Sequence, residues 1–181
     1  TFDYIIVGTG TAGSVIAHRL CEDIKTQVCV LEAGGRDTNP FIHIPAGFMK
    51  TITDPSVNWL YETLPSEGTA GRRIGQPRGK TLGGSSSING HIYNRGQRMD
   101  FDVWAQMGNR GWSYADVLPY FKRSERRVGD GDDKFRGREG QYVIEDLEWE
   151  HPLCDAFMEG ATSLGIPRNA DYNGEAQEGV L

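Results

Sequence analysis

The most constraining feature is a run of glycines set between a strand and a helix. Residues 3–7 (DYIIV) are apolar and β-branched, and Gly8, Gly10 and Gly13 follow at once as G-x-G-x-x-G. Ala12, Val15, Ile16 and Leu20 then recur at the spacing of one helical face, and residues 27–31 (QVCVL) form a second apolar run ending at Glu32. This order predicts two buried parallel strands joined by a helix, a βαβ unit. Gly8 suits a tight turn, Gly10 a close approach to a pyrophosphate, and Gly13 close helix–strand packing. The helix N-terminus offers free N–H groups to phosphates. Glu32 is placed to accept hydrogen bonds from both hydroxyls of an adenosine ribose. In a chain with 24 glycines the glycines alone say little; strand, glycines, helix, strand and carboxylate in register say much more. A βα turn without ligand is the other reading. NAD and FAD both remain open here, while Glu32 would repel the 2′-phosphate of NADP.

With 181 residues, 38% of them hydrophobic, the chain is long enough for one ordinary globular domain. It has no run of about 18 uncharged apolar residues that would span a membrane. Residues 1–7 have neither the basic start nor the cleavage site of a signal peptide, although Thr1 is not an initiator Met, so the address stays open. A net charge of −6 argues against a nucleic-acid partner. The basic cluster Lys122, Arg123, Arg126 and Arg127, with Glu125 among it and Asp130, Asp132 and Asp133 after it, reads as the solvated face of a helix. Cys21, Cys29 and Cys154 form no CxxC pair and are odd in number, which favours a reducing compartment and a cytoplasmic location over a zinc site or disulfide framework. Buried thiols are expected for all three.

Residues 33–77 interleave Gly, Pro, Asp and Asn with Phe41, Phe48, Trp59 and Tyr61, a pattern of long ordered loops packed on something by their aromatics. Further on, a helix is expected over 86–93 after a Gly-Gly turn, and another over 113–127 with Ser113 as N-cap and a kink at Pro119. A charged loop (129–140), a strand (141–144) and a helix (151–164) stopped by Gly165 and Pro167 follow.

Residues 78–95 read RGKTLGGSSSINGHIYNR. A turn at Gly83 and Gly84 with three serines would present backbone N–H groups to an anion; alone it would read equally as a loop capping a helix. In context, the stretch through Gly79, Gly83, Gly84, Ser85, Ser86, Ile88, Asn89, Tyr93, Gly96 and Asp102 resembles the first signature of the glucose-methanol-choline (GMC) oxidoreductases. The opening DYIIVGTGTAGSVIAHRL, with LEAGG, is similar to that family's FAD fingerprint. HIPAG (43–47), NWLYET (58–63) and GWSYADVLPYF (111–121) resemble its choline-dehydrogenase-like branch.

The resemblance implies an α/β fold: a Rossmann-like FAD-binding βαβ unit (1–35), lid-type loops (36–77), the signature (78–102), and helices with the start of a substrate or cap region (103–181). This is a partial FAD-binding domain whose C-terminal remainder is expected elsewhere. It places Gly8, Gly10, Thr11, Ala12 and Gly13 around the pyrophosphate, Glu32 on the adenosine ribose and Ala33 beside it. Leu82, Gly83, Gly84 and Ser85 would run along the middle of the cofactor, with Asn89, Gly90, His91 and Ile92 near the flavin. Trp59 would lie near the adenine, or else is a core Trp beneath the lid loop. Some members attach FAD through a histidine just before the signature Asn; here Ile88 occupies that position, so non-covalent FAD is expected.

The implied activity is oxidation of a small-molecule alcohol to an aldehyde or ketone, with hydride passing to flavin N5. The alternatives are non-redox chemistry on the same scaffold, of lyase or photodecarboxylase type, or an isolated nucleotide-binding module. Dehydrogenase and oxidase remain undistinguished. The family's catalytic pair, a His with a second His or Asn, has no counterpart here, so these residues alone are expected to be inactive. They are expected to associate with the missing part or with another copy. Of the four histidines, His18, His43 and His151 read as packed or exposed, and His91 as a flavin neighbour, chiefly through its backbone.

Overall fold

In the computed structural model, which describes residues 1–181, the β-branched run at the start forms strand β1 (Tyr4–Val7). Its partner β2 (Val28–Leu31) lies parallel, Tyr4 opposite Val28 and Val7 opposite Leu31. Helix α1 (Thr11–Leu20) connects them and starts directly after Gly10, which has no side chain to cap it. A Cβ at position 13 would run into the Gly8 carbonyl, so only glycine allows the helix to turn this tightly off β1. The chain divides into two units, Thr1–Ile92 and Tyr93–Leu181.

The first unit continues with single 3₁₀ turns at Pro40–Ile42 and Pro45–Gly47, the short helix α2 (Phe48–Thr51), and an antiparallel pair, β3 (Tyr61–Glu62) with β4 (Gly75–Gln76). The loops are ordered by buried polar groups. The Asn58 side chain donates to the Ile52 carbonyl at 2.7 Å and accepts from the N–H groups of Leu60 and Arg78, so one amide fastens three stretches of loop.

The strands pair as expected but are not buried. Ile6 is, whereas Ile5 is 64% and Val7 84% exposed. A two-stranded sheet with one helix on it leaves its other face and its edges uncovered, and the apolar residues that would fill a larger core face outward. The thiols depart from expectation for the same reason: Cys21 and Cys154 are exposed and Cys29 half-buried. No residue of α1 or of the helix carrying Cys154 is buried. No helix is long and apolar enough to cross a membrane.

The helix expected over 86–93 is a single 3₁₀ turn, Gly84–Ser87. The Ser87 hydroxyl donates to the Leu82 carbonyl and the Asn89 side chain accepts from the His91 N–H, so polar side chains take backbone partners that a helix would need. His91 then adopts a left-handed backbone, φ +60°.

In the second unit, helix α3 (Arg98–Gln106) begins within the last residues of the signature and runs past its end. Its first turn is closed by Asp100, which accepts from the Gln97 N–H at 2.7 Å. Helix α4 (Tyr114–Ser124) starts at Ser113, whose hydroxyl accepts from the Asp116 N–H, and tolerates Pro119 within it. Phe101 of α3 packs edge-on to Phe121 of α4, with ring centres 5.5 Å apart.

Helix α4 ends three residues earlier than the pattern suggested, because Glu125–Arg127 forms strand β5, parallel to β6 (Tyr142–Ile144). The basic cluster is therefore no single solvated helical face. Lys122 and Arg123 lie in the last turn of α4, but Arg127 and Glu125 are buried, Glu125 completely. Both carboxylate oxygens of Glu125 are occupied: Oε2 accepts from Arg95 and the Gly137 N–H, Oε1 from the Arg136 guanidinium. Burial would lower the Arg136 pKa, but its bonds to Glu125 and Asp171 outweigh that and hold it above the usual arginine value. Arg95 also donates to the buried Phe135 carbonyl at 2.7 Å. Helix α5 (Pro152–Ser163) follows, with the His151 ring accepting from the Leu153 N–H and Gly165 at φ +85° after its end.

Removing one partner from a buried ionic cluster leaves the others charged and unpaired. Glu125→Gln is expected to destabilise the protein by about 3–5 kcal/mol, read as a lowered urea midpoint; a change below about 1 kcal/mol would show that Arg95 and Arg136 find other partners.

Candidate functional site: two glycine turns in contact

The first unit brings both glycine motifs together. The turn after β1 and the turn at Gly83 and Gly84 meet across a separation of 74 residues in sequence, and a Cβ on Gly84 would lie 2.8 Å from the Gly10 Cα. Gly84 has φ +56°, so both its backbone conformation and its closeness to Gly10 call for glycine. Two hydroxyls span the contact. Thr11, at the first position of α1, bonds Ser86, and Thr9 accepts from the Gly83 N–H at 3.2 Å. The segment leading into the second turn is anchored on the residues after Glu32: the Leu82 N–H donates to the Gly35 carbonyl at 2.9 Å, and the Thr81 hydroxyl to the same oxygen.

Glu32 stands at the end of β2 and links these parts. Its Oε2 accepts from the Thr9 N–H at 2.9 Å and the Thr9 hydroxyl at 2.6 Å, and its Oε1 from the Gly34 N–H at 2.9 Å. Burial would raise the carboxyl pKa, but the Thr9 hydroxyl and the backbone N–H groups of Gly34, Thr9 and Ala33 hold it below the usual glutamate value. Three of about four acceptor positions on the carboxylate are filled. Oε1 holds one of these bonds and Oε2 two. With no side chain capping Gly10, the N–H groups of the first turn of α1 have no partner within the helix, and no acidic residue lies in that turn. An anion such as a pyrophosphate fits that end, and the glycines around it leave the space a Cβ would fill.

Gly8, Gly10, Thr11, Gly13, Glu32, Gly83 and Gly84 are thus gathered at one place. Ser85 is turned away: its hydroxyl accepts from the Gly79 N–H at 3.1 Å. Leu82 contributes backbone bonds, and Ala12 and Ala33 are exposed. Asn89, Gly90, His91 and Ile92 are exposed and make no hydrogen bond to the cluster. Trp59 stacks on Tyr61 at 5.7 Å, with the Lys80 ammonium 4.6 Å from its ring centre, so it is neither a core residue nor part of the glycine cluster. Sequence reasoning missed Thr9, and named Ser86 within the signature without assigning it to the site. Thr9 occupies a variable position of the first motif, and a hydroxyl there, opposite a strand-end carboxylate, was the available signal. In the second unit a cavity of about 360 Å³ lies among Gln97, Tyr114, Phe135, Asn173 and Gln177; it contains none of the expected site residues.

A strand–glycine–helix–strand unit with a second glycine turn docked on it defines a dinucleotide-binding class of protein, and comparison with known proteins makes the assignment narrower. The GMC oxidoreductase family model matches residues 2–181, and the chain belongs to that family. It is 49% identical over 177 residues to an oxygen-dependent choline dehydrogenase of Sinorhizobium fredii, covering 98% of this chain and 32% of the relative. Among solved structures it is similar to pyridoxine 4-oxidase from Mesorbium loti (37% identity, TM-score 0.89, 99% of this chain and 35% of that one). It is also similar to an FAD-dependent oxidoreductase from Chaetomium thermophilum (28% identity, TM-score 0.78, 94% and 31%). The chain therefore spans about a third of the length of the proteins it matches.

Two outcomes follow from this geometry. Gly84→Ala meets the Gly10 backbone and adopts a left-handed conformation that alone costs about 1–2 kcal/mol, so a loss of stability of at least that size is expected on chemical denaturation. The folded-state pKa of Glu32 lies below the usual glutamate value, so its stabilisation is complete above that value and is lost as pH falls through the folded pKa. Unfolding midpoints recorded on the acid side should converge for wild type and Glu32→Gln, and separate as pH rises; a constant difference would contradict the Glu32 bonding described.

Proposed function

We propose that this chain is the cofactor-binding part of an FAD-dependent enzyme that oxidises a small-molecule alcohol to an aldehyde or ketone. The observation that carries the reading is the contact between the two glycine turns, with Glu32 bonded to the one and, through Thr9, to the other. FAD supplies the hydride-accepting redox centre when bound. The chain's own residues bind and orient it. The open N-terminus of α1 and Gly10 receive the pyrophosphate, Glu32 takes an adenosine ribose hydroxyl on Oε1, and Gly83 and Gly84 bring backbone close to the middle of the cofactor. Asn89, Gly90, His91 and Ile92 face the flavin end. None of the four histidines is assigned as the base. His91 is exposed and has a left-handed backbone.

The relatives support oxidation over the non-redox alternative: an oxygen-dependent choline dehydrogenase and a pyridoxine 4-oxidase both carry oxidoreductase names. The exposed apolar residues Ile5, Val7, Val15 and Leu31 suit packing against the remaining two-thirds of a protein of the relatives' length, or against a second copy. FAD is held without a covalent bond, since Ile88 is buried and carries no nucleophilic atom.

The test uses the full-length holoenzyme. Acid precipitation should release the flavin into the supernatant, and an alcohol substrate should bleach the bound flavin under anaerobic conditions. A flavin that stays with the pellet argues against non-covalent binding; one that stays oxidised with every alcohol tried argues for non-redox chemistry. Glu32→Gln should weaken FAD binding by about 1.5–3 kcal/mol, since a neutral amide loses a charge-assisted bond, and equilibrium dialysis would measure it.

A further inference from the structure

All three polar groups of Thr9 are engaged. Its N–H and hydroxyl both donate to Glu32 Oε2, at 2.9 and 2.6 Å, and its carbonyl accepts from the Ser14 hydroxyl at 2.8 Å. The hydroxyl oxygen also accepts from the Gly83 N–H at 3.2 Å. A hydroxyl has one proton, and here it is committed to the carboxylate, which leaves the oxygen lone pairs free to hold the second glycine turn. The side chain therefore links three segments: the first glycine turn, the end of β2 and the second glycine turn.

We propose that Thr9 is a positioning residue of the cofactor site, whose single hydroxyl fixes the Glu32 carboxylate and the Gly83 turn in one arrangement and so pre-sets the cradle before cofactor arrives. The inference rests on the FAD reading above and goes beyond it, because Thr9 itself need not touch the cofactor. The hydroxyl and N–H of Thr9 both load Oε2, so Glu32 is turned with Oε1 as its less occupied oxygen. Without the hydroxyl, the carboxylate keeps only backbone donors and is free to rotate, and the Gly83 N–H loses its partner. Preorganisation of this kind raises affinity by sparing the cofactor the cost of ordering the site. The bond from the Thr9 hydroxyl also favours the ionised carboxylate, which ties the arrangement to proton binding at Glu32.

The experiment titrates full-length apoprotein with FAD, followed by flavin fluorescence, across acid to neutral pH for wild type, Thr9→Val, Thr9→Ser and Glu32→Gln. Thr9→Val should bind FAD about tenfold more weakly at neutral pH, and its affinity should begin to fall at higher pH than in wild type. Thr9→Ser should restore both the affinity and the position of the acid limb. A residue that matters only for folding would lower the thermal midpoint without moving that limb. The proposal is overturned if Thr9→Val keeps wild-type affinity and pH profile, or if Thr9→Ser is as impaired as Thr9→Val, provided Glu32→Gln weakens binding. Unchanged affinity in Glu32→Gln would instead sink the FAD reading beneath it. Should Thr9→Val not accumulate in folded form, Thr9→Ala, which keeps the N–H bond to Glu32, is judged by the same criteria.

Discussion

The carboxylate of Glu32 holds the first unit together at the point where three loops meet. Turns rich in glycine have little of their own to hold them: no side chains to pack, and a large conformational entropy to lose on ordering. Here the order comes from one charge. Glu32 takes donors from Thr9 and Gly34, and Thr9 passes the connection to Gly83. Hydrogen bonds to an ionised acceptor are roughly twice as strong as neutral ones, which suits a junction made almost wholly of backbone. Close approach does the rest, since a Cβ on Gly84 would run into the Gly10 backbone.

The second unit meets a similar need with different material. Glu125, with no exposure at all, is surrounded by Arg95, Arg136 and the Gly137 N–H, and Arg136 reaches on to Asp171. Such a cluster adds little net stability over well-packed apolar residues, but it penalises every arrangement that leaves one of its charges unpaired. It thereby fixes how β5, the 128–141 loop and the segment near Asp171 fit together. The apolar contribution is modest: Tyr114, Phe135 and Val180 are the buried hydrophobic residues of this unit. In both units polar junctions specify the arrangement, while much apolar surface, from Ile5 and Val7 to Trp112 and Phe157, remains exposed. That balance is what a chain covering about a third of its relatives would show if most of its partners for burial lie outside it.

The sequence by itself determined the βαβ unit, the parallel pairing of its strands, the cap at Ser113, and the family, because these depend on local spacing: strand period, helix period, and glycines where no Cβ fits. It also placed Glu32 in the site. Only the tertiary structure decided that Ser87 and Asn89 take backbone partners a longer helix would need, that Glu125 leaves helix α4 for a buried strand, and that Trp59 stacks on Tyr61 beneath Lys80. It alone revealed Thr9 as the link between Glu32 and Gly83. The reason is physical. A buried charge is stable only where partners distant in sequence converge on it, and a hydroxyl gains its role from what lies opposite, so neither leaves a period or a motif in the chain.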